Sequence, residues 1–270
     1  MKTWLITGAS RGFGALIAQA ALDAGDRVIA TARNPKSIPL APHPRLVAAK
    51  LDVTNEAEAR SVVASTGRID VLVNNAGIGL LGGVEEASAE EVEKVYRTNV
   101  FGLLTVTRAV LPGMRQLRSG HIINLSSIGG YHAGAGWGVY CSTKFAVEGL
   151  SEALHQELAP LGIHVTVVEP GYFRTDFLDA ASLTRAAASI PDYAETVGAI
   201  RTHATELNHR QPGDPSKLAT AMLELAKMEN PPLRLALGSD TVKSIEDKNA
   251  FVAREMAAHR ALSLSTDFAS

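Results

Sequence analysis

Within "GVYCSTKFAVEGL" (138–150), Tyr140 and Lys144 stand four residues apart. That spacing stacks two side chains on one face of a helix, one turn from each other. A phenol titrates near pH 10 and is protonated at neutral pH, so it can give a proton to a developing alkoxide. An ammonium one turn away would lower its pKa and help it take the proton back. Tyrosine also packs well with its hydroxyl bonded, and lysine snorkels to water, so the pair alone does not separate chemistry from structure.

A second stretch carries its own chemistry. "TGASRGFG" has glycines at 8, 12 and 14. Glycines at the start of a helix allow a tight turn and close backbone approach to a pyrophosphate, which the free N–H groups of the helix terminus attract. Where an NAD-binding protein places an acid on the adenosine ribose, at the end of the second strand, this chain reads "ATARN". Ala32 and Arg33 replace the acid, and Arg11 lies inside the loop. Both guanidiniums suit a 2′-phosphate, so the pattern favours NADP(H) over NAD(H).

These residues need elements to hold them. Seven short β-branched runs recur: 3–7, 27–32, 45–51, 70–75, 121–126, 164–169 and 234–238. Most are nearly continuous in apolar residues and are separated by helical stretches, as expected of strands covered on both faces. The pattern implies an α/β fold, a doubly wound parallel sheet with helices on both sides. Ser88 with Glu91 has capping-box spacing, and Asp214 before Pro215 fits a helix start. The Pro-rich 34–44 stretch reads as a connection across the sheet's edge, and 176–213 as a long insertion suited to a substrate loop.

With 270 residues and 46% hydrophobic composition, a single domain spanning 1–270 is expected. Lys and Arg number 26 against 28 Asp and Glu, a net charge of -2 with no long run of either sign, which points away from nucleic acid and anionic membrane partners. The opening "MKTWLITGAS" has no long apolar core or small-residue cleavage site, and no apolar run reaches membrane-spanning length, so a cytoplasmic protein is the expectation. Cys141 is the single cysteine, which excludes an internal disulfide or a cysteine-based metal cluster and reads as packing; no metal site is expected.

Taken together, the motifs resemble the short-chain dehydrogenase/reductase family over most of the chain. The resemblance is carried by "TGASRGFG", "NNAG" at 74–77, "NVFG" from Asn99, "INLSS", "YCSTK" and the Pro170–Gly171 turn, in that order. It implies a Rossmann-type sheet and a catalytic tetrad of Asn99, Ser127, Tyr140 and Lys144. Ser127 is preferred to Ser126 because it lies thirteen residues before Tyr140, the spacing that aligns with the family's serine. By the same resemblance Asp52 and Val53 hold the adenine, Asn75, Ala76 and Gly77 flank its ribose, and Pro170, Gly171, Phe173 and Thr175 adjoin the nicotinamide. Gly8, Ser10, Arg11, Gly12, Phe13 and Gly14 form the pyrophosphate loop, Arg33 meets the 2′-phosphate, and Tyr140 and Lys144 also touch the cofactor. Asn99 is implied to anchor a water linking Lys144 to solvent.

The implied reaction is NADPH-dependent reduction of a ketone or aldehyde to an alcohol, with Tyr140 giving the proton and Ser127 bonding the carbonyl oxygen. A non-catalytic NADP-binding sensor on the same fold is the alternative from another class. Epimerases and dehydratases share the Tyr/Lys pair, although the modest substrate region favours simple oxidoreduction. Tyr131, His132, Trp137, Phe177, Leu178, Ile190 and Tyr193 are the expected pocket walls, which favours an apolar or aromatic carbonyl compound. After the seventh strand a 240–270 extension reads as an amphipathic helix with Ile245, Phe251, Val252, Met256 and Leu262 on one face, placed to cover a sheet edge. A homo-oligomer is expected, with a dimer through the helices after residues 88 and 138 preferred and tetramer or monomer left open.

Overall fold

The computed structural model describes residues 1–268; the last two residues of the expected domain and extension lie outside the described residues. All seven expected strands form one sheet. In chain order the elements are β1 (Thr3–Ile6), α1 (Gly12–Asp23), β2 (Arg27–Ala32), β3 (Leu46–Lys50), α2 (Glu56–Thr66), β4 (Val71–Asn74), β5 (Gly79–Leu81), α3 (Ala89–Tyr96), α4 (Gly102–Leu117), β6 (Gly120–Leu125), α5 (Gly138–Leu158), β7 (Ile163–Pro170), β8 (Leu183–Arg185), α6 (Ala199–Leu207), α7 (Pro215–Lys227), β9 (Arg234–Leu237), α8 (Ser239–Ala258) and α9 (Arg260–Leu264). The large sheet is parallel throughout, in the order β3-β2-β1-β4-β6-β7-β9. Chain order reverses between β1 and β4, which opens a crevice at the carboxyl ends of the strands.

Alternation along β1 shows why the central strands are apolar on both sides. Trp4 and Ile6 enter a core with Ile17 and Ala18 of α1 and Met222 and Leu225 of α7. Leu5, between them, enters the opposite core with Val106, Val110 and Met114 of α4 and Val62 of α2. The two outer strands depart from the expected full coverage: β3 and β9 are only partly buried, because each has one neighbour and sits at an edge. Helix starts form as their sequences imply. Ser88 and Glu91 make a reciprocal capping box on α3, and Asp214 caps α7 with Pro215 in its first turn.

Two departures matter for the site. A small second sheet joins β5 to β8 across the chain, pairing Gly79 with Leu183 and Leu81 with Arg185. It anchors the 176–213 stretch as an ordered lobe ending in α6. At the other end, α8 does not cover the sheet edge along its length. Thr241 is its one buried residue, Ile245 is half-buried, and Phe251, Met256 and Leu262 are 48%, 60% and 70% exposed. The expected apolar face therefore points outward beyond the helix's first turns. No helix among the described residues is long and apolar enough to cross a membrane.

Candidate active site

The crevice at the carboxyl ends of the strands is one cavity of about 840 Å³, a size suited to a sizeable ligand. Its floor begins at the glycine loop. Gly8 has φ of +69°, a left-handed conformation that favours glycine, and a Cβ there would approach Ala76 Cα to 2.9 Å. Gly14 has no unusual φ, but a Cβ would collide with the Gly8 carbonyl, so α1 starts directly against the turn. Thr7 and Asn75 tie the loop to the end of β4. Asn75 Nδ2 donates to the carbonyls of Thr7 and Gly8 at 2.9 and 3.1 Å, and Thr7 Oγ1 accepts from the N–H groups of Asn75 and Ala76, each at 3.0 Å.

The other end of the cavity is built by α5. Tyr140 and Lys144 are both buried, one turn apart, with Lys144 Nζ 5.8 Å from the Tyr140 ring centre. Trp137 and Phe177 flank the phenol at centroid distances of 5.8 and 5.6 Å. Burial raises the phenol's pKa, and the neighbouring Ser127 hydroxyl opposes the rise. The sequence expectation gave that lowering role to Lys144. Here the ammonium, 5.8 Å from the ring centre, also donates to the Leu125 carbonyl at 2.8 Å, and Ser127 is a second neighbour that favours the phenol's ionisation. Burial also pushes Lys144 down to about 8, with the Glu148 charge pulling the other way.

Asn99 lies in a π-helical turn, Arg97–Phe101, where α3 passes into α4. The widened turn carries its side chain inward. Its Oδ1 accepts from Ile78 N at 2.9 Å, and its Nδ2 donates to the Ile78 carbonyl at 2.9 Å and Thr143 Oγ1 at 3.1 Å. Gly77 sits between Asn99 and Lys144: a Cβ there would lie 3.3 Å from Asn99 Oδ1 and 3.8 Å from Lys144 Nζ.

The model of the family described as "short chain dehydrogenase" matches residues 2–186, more than half the chain. The chain belongs to the short-chain dehydrogenase/reductase family. It is thereby an oxidoreductase. A 3-ketodihydrosphingosine reductase of Bacteroides thetaiotaomicron is 41% identical over 239 residues, 87% of each chain. A short-chain dehydrogenase from Streptomyces avermitilis superposes with a TM-score of 0.92 at 42% identity, covering 99% of this chain and 100% of that one. The closed form of a serine dehydrogenase complexed with NADP+ superposes at 0.72 with 31% identity, over 87% of this chain and 94% of that one.

Of the site residues expected for this short-chain dehydrogenase/reductase, all except Gly14 and Asn99 line the cavity. Those two stand behind it, Gly14 against the loop and Asn99 behind Gly77. Arg33 is exposed at the end of β2, beside Ala32 on the cavity wall. Arg11 is differently engaged: its guanidinium donates to the Ala181 carbonyl at 2.7 Å and to Ser182 Oγ at 3.0 Å, crossing the mouth to the 176–213 lobe. Phe173 packs edge-on against Phe13 at 5.5 Å, and Tyr172 N donates to Asp240 Oδ2 at 2.7 Å, which fixes the turn after Pro170.

Four of the seven expected wall residues, His132, Trp137, Phe177 and Leu178, line the cavity. Tyr131 instead faces Arg234 and bonds Asn249 on α8. Ile190 and Tyr193 are held outside by Glu86 and Glu85. Sequence reasoning missed two buried acids behind α5, Glu148 and Glu169, with the Arg234 that joins them. Their signal was present: an acid on the apolar face of α5 four residues after Lys144, and another inside the otherwise apolar "HVTVVEPG".

Proposed function

We propose that this short-chain dehydrogenase/reductase uses NADPH to reduce a ketone or aldehyde, apolar or aromatic in character, to the alcohol. The observation that carries the reading is that one continuous cavity runs from Arg33 to the Tyr140, Ser127 and Lys144 cluster. A dinucleotide fits that course, with its pyrophosphate on the glycine loop, its adenosine end at Asp52, Val53 and Arg33, and its nicotinamide near Phe173 and Thr175. When bound, NADPH supplies the hydride for the carbonyl carbon. Absence of an acid at the end of β2 supports the phosphorylated cofactor, with Arg33 as its anchor, since Arg11 is spent on the lobe.

The chain's own residues supply the rest. Burial keeps the Tyr140 phenol protonated at neutral pH, the form needed to give a proton to the carbonyl oxygen. Ser127 donates a hydrogen bond to the same oxygen as charge develops there. Lys144, kept charged, offsets the phenolate left behind and holds the nicotinamide ribose. Trp137, Phe177 and Leu178 around the phenol support an apolar substrate, and the 176–213 lobe covers it. The relative named as a ketone reductase supports the direction of reaction.

Loss of the proton donor tests the reading. Tyr140→Phe is expected to lower kcat for NADPH-driven carbonyl reduction by about 10²- to 10⁴-fold while leaving NADPH affinity little changed. Near wild-type turnover in this variant would remove Tyr140 from its assigned role.

A further inference from the structure

Behind the cavity, on the far side of α5, lies a cluster of charges that the reaction above does not use. Glu148 is buried one turn after Lys144 on the same helix face. One of its carboxylate oxygens, Oε2, pairs with Arg234 of β9, whose guanidinium also reaches Glu169 of β7 at 3.2 Å and the exposed Glu152 of α5. The other oxygen, Oε1, is buried without a hydrogen-bond partner, and so is Ser126 Oγ. The two are close: a Cβ on Gly130 would collide with Ser126 Oγ and lie 2.9 Å from Glu148 Oε1. Ser126, passed over as the serine that faces substrate, thus turns its hydroxyl toward this acid.

A carboxylate costs several kcal/mol to bury and is retained where something needs its charge or geometry. One guanidinium cannot neutralise three acids, and the strain falls on Glu169, which burial and the Glu148 charge push up to about 7. Glu148 is also raised by burial, but Ser126, Arg234 and Lys144 all act to keep it ionised. The groups facing it are Lys144 and Glu152 from α5, Ser126 after β6, Glu169 from β7, Arg234 from β9, and Lys248 of α8 at the groove between α5 and α8. The Glu148 charge raises the pKa of Lys144 against the lowering effect of burial.

We infer that Glu148 is a positioning residue for the proposed reductase: its carboxylate, held by Arg234 one helical turn behind Lys144, keeps the lysine's positive charge inside a buried site. This rests on the reductase reading, because it is there that a charged Lys144 offsets the phenolate. The sign follows directly. An anion near an ammonium raises the ammonium's pKa, so removing the anion lets Lys144 lose its proton at lower pH.

Two readouts in the full-length protein test this. The first is the alkaline fall of kcat/KM for carbonyl reduction, expected to move down by roughly 1 pH unit in Glu148→Gln, with NADPH affinity at pH 6 unchanged and the shift largely restored in Glu148→Asp. The second needs no substrate: the NMR titration of ε-¹³C-labelled lysine, with the Lys144 signal assigned through Lys144→Met, should show the same downward shift. Should Glu148→Gln not fold, Glu148→Met replaces the buried ion with an apolar chain of similar volume and should shift the Lys144 titration equally. An unshifted Lys144 titration in a folded variant overturns the inference, whatever happens to turnover. Absence of carbonyl reduction by the wild type, with Lys144 shifted as expected, would overturn the reductase reading alone.

Discussion

On β6 the His121 ring is 5% exposed, and its Nε2 lies 2.9 Å from Thr166 Oγ1. Thr166 gives its own hydroxyl proton to the Pro232 carbonyl at 2.7 Å, so its oxygen must accept from an Nε2–H, which assigns the tautomer. Burial first, then the neighbouring His164 and Lys2, hold the ring down to about 3. Between that value and the ordinary 6.5, the unfolded chain binds a proton that the folded one refuses. Stability from this site is therefore complete above pH 6.5 and is lost as pH falls toward 3, by at most about 5 kcal/mol over the whole window. Urea midpoints measured from pH 7 to pH 4 should fall, and His121→Gln, which keeps a donor near the same position, should flatten the decline. An equally steep decline in the variant would place the acid sensitivity elsewhere.

Elements were legible where their signal is local. The seven strands of the main sheet stand out because the central ones are apolar on both faces, and the capping box at Ser88 because two residues three positions apart specify it. The β5–β8 sheet left no such mark: its strands are three residues each, and the pairing joins Gly79 to Leu183, far apart in the chain. The same distance hid the anchor of the lobe. Glu86 sits in "GVEEASAE", where it reads as one surface acid among several, yet it is buried and accepts from Gly83 N at 2.7 Å, Ile190 N at 2.8 Å and Arg201 Nη2 at 2.9 Å. The Ile190 and Gly83 N–H groups, then Arg201, hold its carboxyl below the usual range. Glu86→Ala should free the 186–198 segment, speed proteolysis there on the order of tenfold, and raise KM more than it lowers kcat. Limited proteolysis with wild-type kinetics would show that the lobe is held by its β5–β8 pairing instead. Site residues followed the same division: the motifs could be read, whereas Arg11's reach to Ala181 and the acids behind Lys144 depend on contacts that only the folded chain makes.

At the scale of the molecule, the cavity draws its walls from β1, β2, β3, β4, β6 and β7 ends at once, so a ligand filling it ties both halves of the sheet together. Binding to the folded state alone adds stability by mass action, about 2.7 kcal/mol at a free concentration one hundred times Kd. For a domain of this size that corresponds to a rise in Tm of roughly 5–10 °C. Discrimination between cofactors then becomes visible without any substrate. NADPH and NADH share every contact except those to the 2′-phosphate, and the group at the end of β2 able to meet that phosphate is Arg33, with Ala32 beside it where an acid would repel it. A charge-assisted bond of this kind contributes roughly 1.5–3 kcal/mol, so NADH at equal concentration should raise Tm distinctly less. In Arg33→Ala the NADPH shift should fall toward the NADH shift while the NADH shift stays put, because the variant removes a contact that NADH never makes. Equal shifts for the two cofactors in the wild type would exclude the NADP(H) preference, and a large NADPH shift that survives Arg33→Ala would move the phosphate contact to Arg11, requiring it to release Ala181 and Ser182 when the cofactor binds.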